Sequence, residues 1–296
     1  MKMTKISYCV SVLLAGISTH TLANDNENTL EEVMVTAQKR VQNAQQVPVS
    51  ITAFSQQQIR ELGATDIFDL QSSAPSLQVS NTQSASTTSF SIRGVGTSSQ
   101  NAGLESSVGL YVDGVYRSRQ SSVTNELIDV EAIEVIRGPQ GTLFGRNTPS
   151  GAIQIKTVAP SQEQSGFVNV SAGNYGLFST SAAIGGALVS SKKWSYRATL
   201  FTSQRDGFVS DEGFGDDIIN DRNRQGARIQ LMYQPNEDFS ARVIADYSQI
   251  NEVCCAPTTV LNNFSSANNQ VGSDALLTAL GGNIISQDRK FENVTA

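Results

Sequence analysis

Four glycines, Gly138, Gly141, Gly145 and Gly151, crowd the stretch "IRGPQGTLFGRNTPSGAIQIKT" and are the first residues to test for chemistry. Backbone N–H groups in a glycine-rich turn can cradle a phosphate where they open a helix. That chemistry demands G-x-x-x-x-G-K-[ST], or G-x-G-x-x-G for a dinucleotide, each leading into a helix. Neither spacing is present, and "GAIQIKT" alternates as a strand does. The stretch therefore reads as strand, tight turn and returning strand. Pro139 presets φ, Gly138 and Gly141 accept positive φ, and Gly145 and Gly151 admit close approach of another backbone. Arg137 and Arg146 lie among apolar neighbours and require carboxylate partners wherever they are buried.

The remaining candidates for chemistry are few. His20 is the sole histidine. It falls in an N-terminal segment in which Lys2 and Lys5 precede an apolar run and "THTLA" ends in small residues. This reads as a secretory signal peptide, residues 1–23, cleaved after Ala23. Its removal takes away Cys9 and His20, and moves the formal charge from -6 to -8 because two lysines and no acids leave. An acidic exported chain without imidazole is a poor candidate for nucleic-acid binding, histidine catalysis or a histidine metal site. Cys254 and Cys255 are adjacent and read as loop thiols or a vicinal pair. Asp211, Glu212, Asp216, Asp217 and Asp221 cluster without EF-hand spacing and read as a solvated loop. The expectation is no catalytic residue, no metal site and no cofactor.

Three segments must position the glycine-rich stretch. Residues 24–44 are polar, with β-branched Val33, Val35 and Thr36 and no helical periodicity, and read as an extended, flexible arm. Residues 45–160 read as a small α+β domain. Alternating Val47, Val49, Ile51 and Ala53 lead into a helix with a capping box at Ser55 and Gln58 and a stop at Gly63. Strands follow in "SFSIRGVG" and "GLYVDGVYRS", then in the stretch around the glycines. Residues 161–296 read as about five longer strands, each with one apolar face tipped by aromatics and one polar face. Trp194, Tyr196, Ala198 and Leu200 oppose Ser195, Arg197 and Thr199; Phe239, Ala241 and Val243 oppose Ser240 and Arg242. A water-soluble β-sandwich alternates in the same way. Short links "SSKK" and "PNED" alternating with long loops favour an outer-membrane barrel.

The segment "DVEAIEVIRGPQGTLFGRNTPSGAIQIKT" resembles the plug hallmark of TonB-dependent outer-membrane receptors. "FSIRGVG" and "VGLYVDGVYRSR" are similar to plug strands of that family in the same order. "LEEVMVTAQKR" resembles its TonB box, placed at Glu31, Glu32, Val33, Met34, Val35, Thr36 and Ala37. Ser150 departs from a second glycine usual before "GAI", and about five strands stand against a family barrel of 22. The resemblance implies a plug domain followed by the start of an antiparallel transmembrane β-barrel in the Gram-negative outer membrane. It also implies active uptake of a scarce substrate, most commonly a ferric siderophore; the alternatives are cobalamin or glycans as cargo, or a truncated non-transporting product. The partners implied are the inner-membrane TonB complex, which adds the box as a strand to its own sheet, outer-membrane lipid and the iron-siderophore ligand. Arg93 and Arg137 match plug arginines that pair with glutamates on the inner barrel wall as a latch.

Overall fold

The computed structural model describes residues 34–36, 39–81, 87–98, 103–123, 127–188, 193–211, 215–253 and 290–295. The stretch read as a signal peptide, Glu31, Glu32, Val33, Ala37, Cys254 and Cys255 lie outside these residues, as does Glu212 of the acidic connection. The first described segment is a short ribbon, β1 (Met34–Val35) paired antiparallel with β2 (Gln42–Asn43). Strand β3 (Ile51–Ser55) runs into helix α1 (Gln56–Glu61), whose Ser55 and Gln58 form the expected reciprocal capping box. Gly63 ends it with φ +62°.

The domain is built on a sheet of β3, β9 (Val130–Arg137), β10 (Gly151–Thr157), β7 (Val108–Val112) and β8 (Val115–Tyr116), in that order. β9 and β10 are antiparallel, so the glycine-rich stretch does return as a neighbouring strand, while β10 and β7 run parallel. A smaller sheet of β4 (Leu77–Asn81), β5 (Thr88–Ile92) and β6 (Val95–Gly96) packs beside it. Period two sorts the side chains of β9 and β10 into two sets. Ile133, Val135, Ile153 and Ile155 enter the main core with Phe54, Ile59, Leu70, Leu77, Phe90 and Leu110. Glu134, Ile136, Ala152 and Gln154 face the other way.

Long strands follow: β11 (Ser165–Ala172), β12 (Phe178–Ala187), β13 (Trp194–Arg205), β16 (Arg222–Tyr233), β17 (Ala241–Asn251) and β18 (Lys290–Thr295), paired in that order as antiparallel neighbours. The sequence reading is extended at two places. The acidic connection contains a hairpin, β14 (Val209–Asp211) with β15 (Gly215–Ile219), and the stretch after Asn251 contains a sixth long-sheet strand, β18. The alternation anticipated from sequence is present with a decisive polarity. Val168, Val170, Ile184, Leu200, Ile229 and Val243 are 58% to 72% exposed. Their polar neighbours Ser195, Arg197, Thr199, Ser203, Arg224 and Gln230 are buried against the domain. A water-soluble sandwich buries the apolar face, so this sheet is inside out for water and correct for lipid. Aromatics mark its ends: Trp194 and Tyr233 have ring centroids 4.5 Å apart, with Phe239 beside Tyr233, while Tyr175 and Phe208 pack at the opposite end.

The exposed apolar face generates a direct test. Leu200→Arg should lower the stability of the protein folded into phospholipid vesicles by about 2–4 kcal/mol, the cost of arginine near a bilayer midplane. Urea titration of folded fraction measures it, and a change below about 0.5 kcal/mol would mean that this face meets water.

Candidate functional site

Two regions of the domain carry its unusual polar chemistry: the face of β9 and β10 turned away from the main core, and the face turned toward the long-strand sheet. On the first, Glu134 and Gln154 are direct cross-strand partners, flanked by the pair Ile136 and Ala152. The arm covers them. Val35 is fully buried in a cluster with Val47, Tyr111, Ile136 and Ala152. The backbone N–H of Thr36 donates to Glu134 Oε1 at 2.7 Å, and its hydroxyl donates to the same oxygen at 3.0 Å. Gln154 Nε2 donates to Thr36 Oγ1 at 3.1 Å. The expectation of a free, flexible arm is thus corrected at residues 34–36, which are anchored. A buried valine and a main-chain donor with a buried acceptor outweigh the polar composition around them.

Glu134 is itself buried, and its Oε2 has no hydrogen-bond partner among the described residues. Burial pushes its carboxyl above the usual range, against the opposing pull of the two Thr36 hydrogen bonds and of Lys156. The glycine-rich turn closes the side of this seat. Gly138 adopts φ +86° and continues the ladder by donating to Ser150 O. Two details of the expected turn are corrected. Gly141 opens a helical turn, α2 (Gly141–Phe144), with no positive φ of its own. Gly145 is needed for its φ of +83°, since a side chain there would meet open space. Gly151 does serve close approach: a Cβ would stand 2.2 Å from Ile136 O. Pro139 is exposed before the helical turn. Tyr111 Oη donates to Phe144 O at 2.5 Å, holding α2 so that Phe144 packs against the arm's apolar cluster. Lys39 sits over the Phe144 ring at 5.9 Å.

The candidate latch residues lie together at the end of β9. Arg137 donates to Ser76 Oγ at 2.9 Å, to Ser50 Oγ at 3.1 Å and to Thr52 Oγ1, while Arg93 donates to Ser50 Oγ at 3.3 Å. Neither has a carboxylate partner among the described residues. Arg146 makes an exposed pair with Glu105 at 3.6 Å.

The second region escaped the sequence reading. Asp129 is buried and takes a bidentate pair from Arg197 of β13, Nε and Nη2 each at 2.6 Å, plus the Thr199 hydroxyl at 2.8 Å. Asp66 meets Arg222 and Arg224 of β16 at 3.2 and 3.4 Å, and Arg224 also grips Glu252 at 2.6 Å. Burial still raises the Asp66 carboxyl, assisted by Asp69, and the two arginines only partly offset this. Asp113 accepts from Thr157 N and Oγ1 and faces Arg242 of β17 at 3.5 Å. Three domain carboxylates thus meet arginines on the polar face of the sheet. Between the two layers lies a cavity of about 70 Å³ whose polar lining includes Arg117, Thr199, Arg228, Asp246 and Ser248. Its size and polarity suit water. The available signal was the turn chemistry: Asp113 and Asp129 both have positive φ, Asp113 in the hairpin turn "VDGV" with Gly114 at +81°.

Removing one partner of a buried pair leaves an uncompensated charge, so Asp129→Ala should cost about 3–5 kcal/mol. Denaturant unfolding in detergent measures this, and Arg197→Met in the same chain should restore much of it; a single-variant loss under about 1 kcal/mol would place Asp129 in contact with water. Glu134 yields a pH dependence. It holds its proton more firmly folded than unfolded, so its contribution is fully present below the ordinary glutamate value of about 4.3 and is lost as pH rises through its elevated folded value. The stability of the protein relative to Glu134→Gln should therefore fall over that rise; a flat difference would rule out the shift.

Residues 43–152 match the family described as the TonB-dependent Receptor Plug Domain. The pesticin receptor of Yersinia enterocolitica is 28% identical over 240 residues, covering 80% of this chain and 35% of that protein. The iron-regulated outer membrane virulence protein of Vibrio cholerae is 30% identical over 249 residues, 78% of this chain and 36% of that one. The crystal structure of the ferric yersiniabactin uptake receptor FyuA from Yersinia pestis superposes with a TM-score of 0.61 at 24% identity, over 69% of this chain and 32% of that chain. The chain therefore spans about a third of the length of the curated relatives it matches. It carries, over residues 43–152, a plug domain of the TonB-dependent receptor family, joined to the antiparallel strands of a barrel's start.

Proposed function

We propose that this protein is the energy-coupled gate of an outer-membrane receptor that takes up a ferric siderophore. The observation that carries this reading is the plug seated by its carboxylates on the polar face of a sheet whose other face is apolar and open. A pore wall and its stopper have that relation. The relatives named for iron regulation and for ferric yersiniabactin uptake support iron as the cargo. The coupling segment is Glu31 to Ala37, which in an extended form adds to the sheet edge of the TonB protein through main-chain hydrogen bonds. Its location is the outer membrane, reached by way of the N-terminal signal segment, with lipid against Leu200, Ile229 and Val243.

Arg93 and Arg137 act in this reading as a latch. They share the Ser50 hydroxyl and, among the described residues, use neutral acceptors, so both retain the capacity to pair with wall carboxylates. No catalytic step is involved. Energy arrives as a pull on the arm, and the plug yields.

In cells producing the receptor, deleting residues 31–37 should abolish accumulation of radiolabelled ferric siderophore while leaving its binding at the cell surface intact. Uptake at the undeleted rate would remove the arm from energy coupling.

A further inference from the structure

The cavity between the plug and the long-strand sheet holds a cation that no described side chain balances. Arg117 of the plug and Arg228 of β16 both line it, and its lining carries one carboxylate, Asp246 of β17. Arg228 is the direct cross-strand partner of Asp246 on one side and of Thr199 on the other. It nonetheless makes no hydrogen bond or ion pair with any described residue. Asp246 instead meets Arg117 at 3.6 Å, too long for a hydrogen bond. Besides Asp246, the charges acting on Arg228 are Asp113 and Asp129, which attract it, and Arg242, which repels it. Those two carboxylates are already engaged, Asp129 by Arg197 and Asp113 by Arg242. Two guanidiniums therefore share the single carboxylate of Asp246. Each offers five N–H donors, has no acceptor and keeps its proton. Water can fill about 70 Å³ and accept some of those donors, but it leaves the additional positive charge in place.

We propose that this cavity binds one small monovalent anion of the chloride class, held between Arg117 of the plug and Arg228 of the sheet. The ion accepts N–H donors from both guanidiniums and balances the charge that Asp246 leaves over. A halide fits the volume; a polyhydroxylated organic anion such as gluconate does not. Because one arginine comes from each layer, the ion ties plug to sheet as Asp129 does, with a dissociable group in place of a side chain. The site stands independently of what the protein carries.

The test uses the full chain in detergent micelles at constant ionic strength, with sodium chloride replacing sodium gluconate. Broadening of the chloride nuclear resonance reads binding, and thermal unfolding reads its effect on stability. The parent should broaden the resonance and unfold at a higher temperature in chloride, since an ion that binds only the folded state stabilises it by mass action. Arg228→Gln removes the unbalanced cation. It should cut the broadening by at least about tenfold, as loss of a hydrogen bond to a charged group implies, and unfold at the same temperature in both salts. Arg117→Gln frees Asp246 for Arg228 and should lose the response in the same way, which keeps the test intact if Arg228→Gln fails to fold. Lys193→Gln, at an exposed turn, should respond as the parent does. A parent indifferent to chloride overturns the site and leaves the cavity to water. A response that survives in both arginine variants, or that Lys193→Gln also loses, overturns it as well, because the ion is then bound at the surface. Glu126 immediately precedes Leu127 of the lining in sequence. A response that appears only in Glu126→Gln assigns the counter-charge to that carboxylate and overturns the anion.

Discussion

A buried carboxylate must be met by a cation, and the pairing of Asp129 with Arg197 imposes that rule on the join between plug and wall. Both side chains are almost fully removed from solvent, and the pair is bidentate. Arg197 is therefore satisfied only with the plug in place, and Asp129 only against β13. The polar sets of β13 and β16 inherit the same condition. Ser195, Thr199, Ser203 and Gln230 are buried because the plug covers them, and Gln230 donates to Val158 O in the link that leads from plug to sheet. The apolar set faces the opposite way, so the two halves of each strand's period serve two different solvents.

The glycine-rich stretch has a structural task rather than a chemical one. β9 and β10 form the central hairpin of the plug, with one face in the main core and the other under the arm. Gly151 is the residue that lets β10 lie against β9 at Ile136, and Gly138 and Gly145 set the turn that carries α2. Only after that turn is made does Phe144 reach the arm's cluster. Tyr111 fixes it there from the parallel strand β7, which ties the arm to an element distant in sequence.

Much of this was legible in the sequence because it follows short periods. The capping box at Ser55, the return of the strand after Gly151, and the two-faced strands from Ser165 onward each depend on neighbours a few residues apart. The parallel pairing of β7 with β10 has no such local signature. Nor has the Asp129 to Arg197 pair, whose members are 68 residues apart, one in a turn and one on a strand. Arg197 was visible on the polar face, but periodicity assigns a side chain to a face and does not choose its partner. The arm was misjudged for a related reason: three residues are too few to show a period, and the acceptor that anchors Thr36 is 98 residues away.

In the proposed coupling reading, magnitudes order the events that a pull on the arm sets off. The arm's hold consists of one buried valine, about 1.5–3 kcal/mol, and a hydrogen-bonding group on a carboxylate, about 1.5–3 kcal/mol. Breaking the Asp129 pair on one side alone costs about 3–5 kcal/mol, and the Asp66 and Asp113 contacts must yield as well if the plug moves as a body. The arm therefore comes free before the plug shifts. Buried ion pairs add little net stability over apolar packing, yet each is costly to open singly. A wall joined this way resists small displacements sharply while adding little net stability, which suits the stopper proposed above.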